Sequence, residues 1–324
     1  MKIAVLMGGP SSEREISIKS GTAVAAALAD LGHEVNKIDL DAEVVAKLKS
    51  FAPDVVFNVL HGKPGEDGSV QGLLEVLGIP CTGSGVLASA ITMDKIITKR
   101  LLEHAGILTP DFLSWTAEEY AAAGGDIEVS ISKHFGFPVV IKAPTQGSTI
   151  GTFIVREEKE LAAAITGALK YDPCFMAEAF LSGTEITAAV LGNNEPLVLP
   201  LIEIVSNTGT GFYDYTAKYT PGMSDHIIPP RLPRDILDTA ASLARRAYTI
   251  MSCRGFARVD MIVAGDGAPR VIEINSVPGM TATSLVPDAA RAAGLDFPAL
   301  VQKIIDLALE NKSPRESDIV KSRL

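Results

Sequence analysis

Cysteine is scarce in this chain. There are three, Cys81, Cys174 and Cys253, odd in number, far apart and without C-x-x-C spacing. That excludes a disulfide framework and a paired-thiol metal motif, and it reads as reduced, buried thiols of a cytosolic protein. No cysteine lies in a recognisable nucleophile motif. No apolar run is long enough to span a bilayer, and the apolar start at residues 3–7 runs straight into Gly8-Gly9-Pro10, so neither a membrane segment nor a secretory leader is expected. The expected location is the cytoplasm. Positive charge is also short: 29 Lys and Arg stand against 39 Asp and Glu, a net charge of -10. Such a chain is repelled by a phosphate backbone, which argues against nucleic acid and leaves local bases to hold a small anion. The G-x-x-x-x-G-K-[ST] string is absent, so a P-loop is excluded. A loose G-x-G-x-x-A string occurs at residues 83–88, but after the third strand rather than the first, where a packing turn fits better than a dinucleotide fingerprint.

What is present is an ordinary globular composition, 47% hydrophobic and 21% charged over 324 residues, enough for two or three compact units. Apolar runs at 2–7, 34–40 and 54–60 alternate with helical patterns at 15–31 and 41–50. That alternation predicts an open parallel α/β sheet closing near Gly83-Ser84-Gly85. A helical stretch at 86–105, strands at 137–142, 148–155 and 175–181 and a helix at 157–169 predict a small central α+β unit. Strands at 185–191, 197–205, 256–263 and 270–275 predict a C-terminal α+β unit with a mainly antiparallel sheet. Helices are expected at 284–293 and 297–309. The expected units are 1–86, 87–180 and 181–312, with a frayed tail at 313–324. A polar, Gly/Thr/Tyr-rich stretch at 206–224 is long for a plain connection and reads as a lid.

Several strings sit where a sheet offers chemistry. Met7-Gly8-Gly9-Pro10-Ser11-Ser12-Glu13-Arg14-Glu15 joins the first strand to the first helix, whose N-terminus suits an anion; Glu13 and Glu15 could equally complement the helix dipole. His61-Gly62-Lys63-Pro64-Gly65-Glu66-Asp67-Gly68 ends the third strand, and its glycines imply a close backbone approach. Lys142 closes an apolar strand before the small-residue loop 143–151, which fits either a phosphate clamp or a surface hairpin. Arg258 and Asp260 alternate along one strand, Glu273 and Asn275 along another, so each pair shares a face. A solvent face would read similarly, but two carboxylates, an amide and an arginine among apolar neighbours suit Mg²⁺ and phosphate oxygens. Ser276-Val277-Pro278-Gly279-Met280-Thr281 is a tight turn beside them, followed by Ser284-Leu285 at a helix start.

Taken together, these strings resemble the D-alanine–D-alanine ligase family of the ATP-grasp superfamily. The resemblance rests on Gly8-Gly9 through Ser17, His61-Gly62 with Gly65-Glu66-Asp67-Gly68, Thr82-Gly83-Ser84-Gly85 and Met93-Asp94-Lys95. It continues through Phe212-Tyr213-Asp214-Tyr215, Ala217-Lys218-Tyr219, Arg258-Val259-Asp260 and residues 273–281. It implies ATP between the middle and last units, two Mg²⁺ ions replaceable by Mn²⁺, two D-alanine molecules, and a homodimer. It further implies that Lys95 and Lys142 hold the nucleotide's phosphates, that the loop 146–151 with Gln146, Gly147 and Ser148 closes over them, and that Lys218 also meets ATP. Glu178, Phe180 and Leu181 would meet adenine, and Glu185 the ribose. Asp260, Glu273 and Asn275 would hold metal. Glu15 would face the first amino group, with His61 and Tyr213 also on the substrate. Arg258 and the Gly279 N–H would face an oxyanion, Ser284 and Leu285 the second carboxylate, and Tyr219 would meet Ser148 and Glu15. Gln146 stands where many members have glutamate, and Ser276 where threonine is frequent.

Overall fold

The structure is a computed structural model that describes residues 1–207 and 222–310. It opens with β1 (Lys2–Met7), α1 (Arg14–Asp30), β2 (Glu34–Asp39), α2 (Val44–Phe51), β3 (Val55–Asn58) and α3 (Ser69–Val76). The three strands pair in parallel in the order β2-β1-β3. Both faces of β1 and β3 are apolar and buried, as an all-parallel sheet requires. Ala4, Leu6, Val56 and Leu60 pack with Val44, Leu48 and Leu74 on one side. Ile3, Val5, Val55, Phe57 and Val59 pack on the other.

Then follow α4 (Val86–Met93), α5 (Lys95–His104), β4 (Phe112–Thr116), α6 (Ala117–Phe135), β5 (Val139–Lys142), β6 (Thr152–Val155), α7 (Leu161–Ala168) and β7 (Cys174–Ala179). The helical stretch expected at 86–105 divides at Asp94, whose side chain accepts from the N–H groups of Ile96 and Ile97 and so starts a second helix. The second sheet runs β4-β7-β5-β6, every neighbour antiparallel. Its core face carries Val139, Ile141, Phe175 and Ala177 under α6 and α7. β4 and α6 add to the elements expected from sequence. The signal for α6 was Thr116-x-x-Glu119, a reciprocal capping box in the structure.

The remainder comprises β8 (Gly183–Leu191), β9 (Leu197–Val198), β10 (Ile202–Ser206), β11 (Ser224–Ile227), α8 (Arg234–Ile250), β12 (Phe256–Ala264), β13 (Pro269–Asn275), α9 (Leu285–Ala292) and α10 (Phe297–Glu310). The third sheet is antiparallel in the order β11-β10-β8-β12-β13, with β9 on β8. The single strand expected at 197–205 is two strands. α8 is an added helix, and its buried Ala240, Leu243, Ala244, Ala247 and Tyr248 lie on the third sheet with Val259, Met261 and Ile274. The opposite face of that sheet is divided. Ala189, Leu191, Ile202 and Phe256 join α9, α10 and the first sheet in one core, while Thr187, Arg258, Asp260, Glu273 and Asn275 make the polar remainder. Tyr213, Lys218 and Tyr219 of the expected lid, and the expected tail 313–324, lie outside the described residues.

Candidate active site

The connections of all three sheets meet at one cavity of 270 Å³. The first sheet supplies Glu13, Ile16, Lys19, His61 and Glu66; the second supplies Gln146, Gly147 and Ser148; the third supplies Arg258, Glu273, Ile274 and Asn275. Lys95 enters from α5, and the turn after β13 adds Gly279, Thr281, Thr283, Ser284 and Leu285.

The floor is built by register. On β12 and β13, Arg258 lies opposite Asn275 and Asp260 opposite Glu273. The pairing then shifts, Met261 meeting Val271, so an extra residue is inserted at Ile272. That bulge lets Val271 and Ile274 both reach the core although they are an odd number apart. Two carboxylates facing each other across strands repel, and each has its own cation. Arg258 grips Asp260 in a fork, Nε to Oδ1 at 2.8 Å and Nη2 to Oδ2 at 2.7 Å. Lys95 Nζ lies 3.5 Å from Glu273 and donates to the Gln146 carbonyl at 2.7 Å, tying the second sheet's loop to the third sheet. Thr187 donates to Asp260 at 2.5 Å; Asp260 is buried beside Arg258, and Glu273 and Asn275 line the cavity. Oxygen donors of this kind fit a hard divalent cation. The two basic side chains already compensating them show that the face calls for positive charge.

One wall carries a correction. Glu15, expected to face the substrate amino group, is exposed and outside the cavity; Glu13 lines it and is buried. Two residues apart at a helix start is a rotation of about 200°, so both cannot point the same way. Ser148 donates to Glu13. A Cβ at Gly147 would come within 2.9 Å of Glu13 Oε2, so a larger residue there would push the Glu13 carboxylate aside. Ser148 and Thr149 both have positive φ, so the loop turns tightly there. Arg14 and Asp39 pin the β1–α1 connection from outside: Arg14 bonds Asp39 and the Gly9 carbonyl, and the Gly9 N–H donates to Asp39 at 3.0 Å. Chiefly through Arg14, the Asp39 carboxyl is held down at about 2.

His61 is buried, with Nδ1 3.5 Å from Glu66, and its Nε2 has no hydrogen-bond partner among the described residues. Burial raises the Glu66 carboxyl, against the opposing pull of His61. At the far end Ser284 precedes α9; its Oγ accepts from the Thr281 N–H at 3.0 Å. A Cβ at Gly279 would meet that Oγ at 2.9 Å and displace the Ser284 hydroxyl from its place in the turn.

The expected nucleotide residues form a second cluster on the second sheet. Val140 lies opposite Glu178 and Lys142 opposite Met176, so Lys142 and Glu178 share the face away from the core. Lys142 bonds Glu178 Oε1, and Lys99 lies 2.7 Å from Oε2. Burial pushes the Glu178 carboxyl up, but the two lysines together outweigh it and hold it below the usual carboxylate range. Phe180, Leu181 and Glu185 are partly buried on the way from β7 into β8 and do not line the cavity. Sequence reading missed Lys99 in this cluster and Lys19 on the cavity wall, and gave no separate role to Glu66, Thr281 and Thr283, which lay within its strings. Lys19 was legible as the residue in helical phase with Glu13 and Ile16.

An antiparallel sheet and its loop 143–151 facing a second antiparallel sheet across a lysine-bridged cavity define the ATP-grasp class. Family models for the N-terminus and C-terminus of D-ala D-ala ligase match residues 43–84 and 101–306, and the chain belongs to the D-alanine–D-alanine ligase family. It is 77% identical to the D-alanine–D-alanine ligase of Moorella thermoacetica, over 96% of this chain and 100% of that protein. Among solved structures, that of the Bacillus anthracis D-alanine–D-alanine ligase complexed with ATP is similar, with TM-score 0.81, 34% identity and coverage of 96% and 98%. So is the VanG D-Ala:D-Ser ligase of Enterococcus faecalis, with TM-score 0.80, 31% identity and coverage of 95% and 99%.

Proposed function

We propose that this chain joins two D-alanine molecules into D-alanyl-D-alanine, a precursor for the cell wall, with conversion of ATP to ADP and phosphate. The carrying observation is the single cavity in which Lys95 links the Gln146 loop to Glu273, with Glu13, His61, Arg258 and Ser284 on its walls.

A carboxylate is a poor electrophile. An oxygen of the first D-alanine carboxylate attacks the γ-phosphorus, the bond to ADP breaks, and the resulting D-alanyl phosphate is a good electrophile. Lys95 and Lys142, with the N–H groups of the loop around Gln146, Gly147 and Ser148, neutralise the transferring group. Glu13 rather than Glu15 is the carboxylate placed to pair with the first ammonium. His61 donates toward the first carboxylate region. The amine of the second D-alanine attacks the acyl carbon and the tetrahedral oxyanion is met by Arg258 and the Gly279 N–H. Phosphate leaves with its electron pair and the amine loses a proton. Ser284 and the start of α9 receive the second carboxylate, with Lys19 at the cavity wall adding positive charge. Asp260, Glu273 and Asn275 are the residues that would hold two Mg²⁺ ions, for which Mn²⁺ can substitute. Bound there, a divalent ion would supply charge neutralisation to phosphoryl oxygens. Glu178, Phe180, Leu181 and Glu185 form the adenosine side. The same reading carries a homodimer in the cytoplasm.

The test is phosphate release with ATP, Mg²⁺ and D-Ala, L-Ala, D-Ser or D-lactate, with products identified by mass. D-Ala-dependent phosphate matched by D-alanyl-D-alanine is expected. A predominant D-Ala–D-Ser or D-Ala–D-lactate product would reassign the second substrate, and phosphate release without a ligated product would overturn the ligase reading.

A further inference from the structure

Lys99 is 0% exposed, a rare place for a lysine unless its charge is used. It stands one helical turn beyond Lys95 on α5, so both reach in the same direction, one to the cavity and one deeper. Its ammonium donates to Thr109 Oγ1 at 2.6 Å, lies 2.7 Å from Glu178 Oε2 and sits 5.2 Å from the centroid of the Phe112 ring. Glu178 is therefore shared by two cations, one on each oxygen.

The two cations are not equivalent. Lys99 is sealed and held on three sides, whereas the Lys142 side chain keeps 12% of its exposure. We propose that Lys99 is a positioning residue for the nucleotide: it cancels the Glu178 carboxylate so that the Lys142 ammonium presents an uncompensated positive charge to a phosphate. This rests on the reading of Lys142 as a phosphate-binding lysine. Two lysines and one carboxylate sum to one positive charge, and the open end of the cluster is the Lys142 end. Without Lys99 the remaining pair is neutral. Lys142 would then have to leave a buried carboxylate with no other cation in order to reach an anion, a move that a low-dielectric site penalises heavily. With Lys99 in place, Glu178 stays compensated when Lys142 turns away. Burial pulls the Lys99 ammonium below its ordinary value, Glu178 opposes that, and the neighbouring Lys142 adds to it.

A merely structural ion pair would affect all ligands alike, so the readout is a ratio. Calorimetric affinities are measured for adenosine and for MgATP, and the ratio of the two reports the triphosphate contribution. In Lys99→Met the ratio falls by about tenfold or more, the scale of one unit charge acting over a few partly screened ångströms. Lys99→Arg keeps it within about threefold, since the charge remains. Lys99→Met/Glu178→Gln removes both buried charges, leaves Lys142 uncompensated again, and returns the ratio to the wild-type value even if adenosine itself binds less well. Should Lys99→Met not fold, the double variant carries the test, because deleting a buried pair whole is tolerated better than halving it. An unchanged ratio in Lys99→Met, or a collapsed ratio in the double variant, overturns the inference. Lys142→Met separates it from the underlying reading: an unchanged ratio there means that Lys142 does not meet the phosphates at all.

Discussion

The floor of the cavity and the cluster around Glu178 are made the same way and differ in one respect. Each places polar side chains at alternate positions on one face of antiparallel strands, with the other face in a core. On the floor each carboxylate has its own cation, Arg258 with Asp260 and Lys95 with Glu273. In the cluster one carboxylate has two, and one of these is fully enclosed. On the floor the Lys95–Glu273 pair lines the cavity and can exchange partners with a ligand at modest cost, because water covers the interval. An enclosed cluster cannot, so its surplus charge is fixed by the fold.

The largest effects should appear in the enclosed cluster. Glu178→Gln strands two lysines without a counter-ion and should lower stability by about 3–5 kcal/mol in denaturant unfolding. Glu273→Gln on the balanced floor should lower it by about 1 kcal/mol or less. Equal losses would erase the distinction. Function should order the regions the other way. Arg258→Ala should reduce turnover by about 10²–10³ with ATP affinity nearly intact, as the loss of one oxyanion donor does; turnover near wild type would remove Arg258 from the reaction. Glu13→Gln should reduce turnover about tenfold or more, the order expected for losing one charged substrate contact. Glu15→Gln should change it by less than about twofold, as surface substitutions do. If the two behave alike, the helix-start geometry does not decide which acid is used.

The smallest effect concerns the outer brace of the Glu13 loop. The depressed Asp39 carboxyl contributes stability that is fully present above its unfolded value of about 4 and is lost as pH falls toward about 2. In Asp39→Asn that part of the acid-induced loss should vanish, seen as a flatter unfolding free energy below about pH 4. Because the pair is partly exposed, screening keeps the difference small, and salt should shrink it further.

Much of this was legible beforehand. Period-two alternation at residues 258–262 and 273–275 placed Arg258, Asp260, Glu273 and Asn275 on common faces, and the structure has them in register. Apolar runs separated by helical patterns gave the parallel first sheet. Missed elements were those whose signal is weak or borrowed. β4 reads as an unremarkable Phe-Leu-Ser-Trp-Thr and becomes a strand because β7 pairs with it. α6 begins on a capping box that is easily read as a polar loop, and α8 carries its apolar stripe within a strongly charged segment.

By itself the sequence determined the type and order of most elements, the strings that carry the chemistry and the family to which they belong, because hydrophobic period, turn residues and motif spacing are local properties of the chain. The tertiary structure alone decided that Glu13 and not Glu15 faces the cavity, that the carboxylates of the floor are each matched by a base, and that Lys99 lies beneath Glu178. Those outcomes depend on where a helix begins, on a bulge in one strand, and on side chains meeting across long separations. Direction and burial of that kind are set only when the sheets pack.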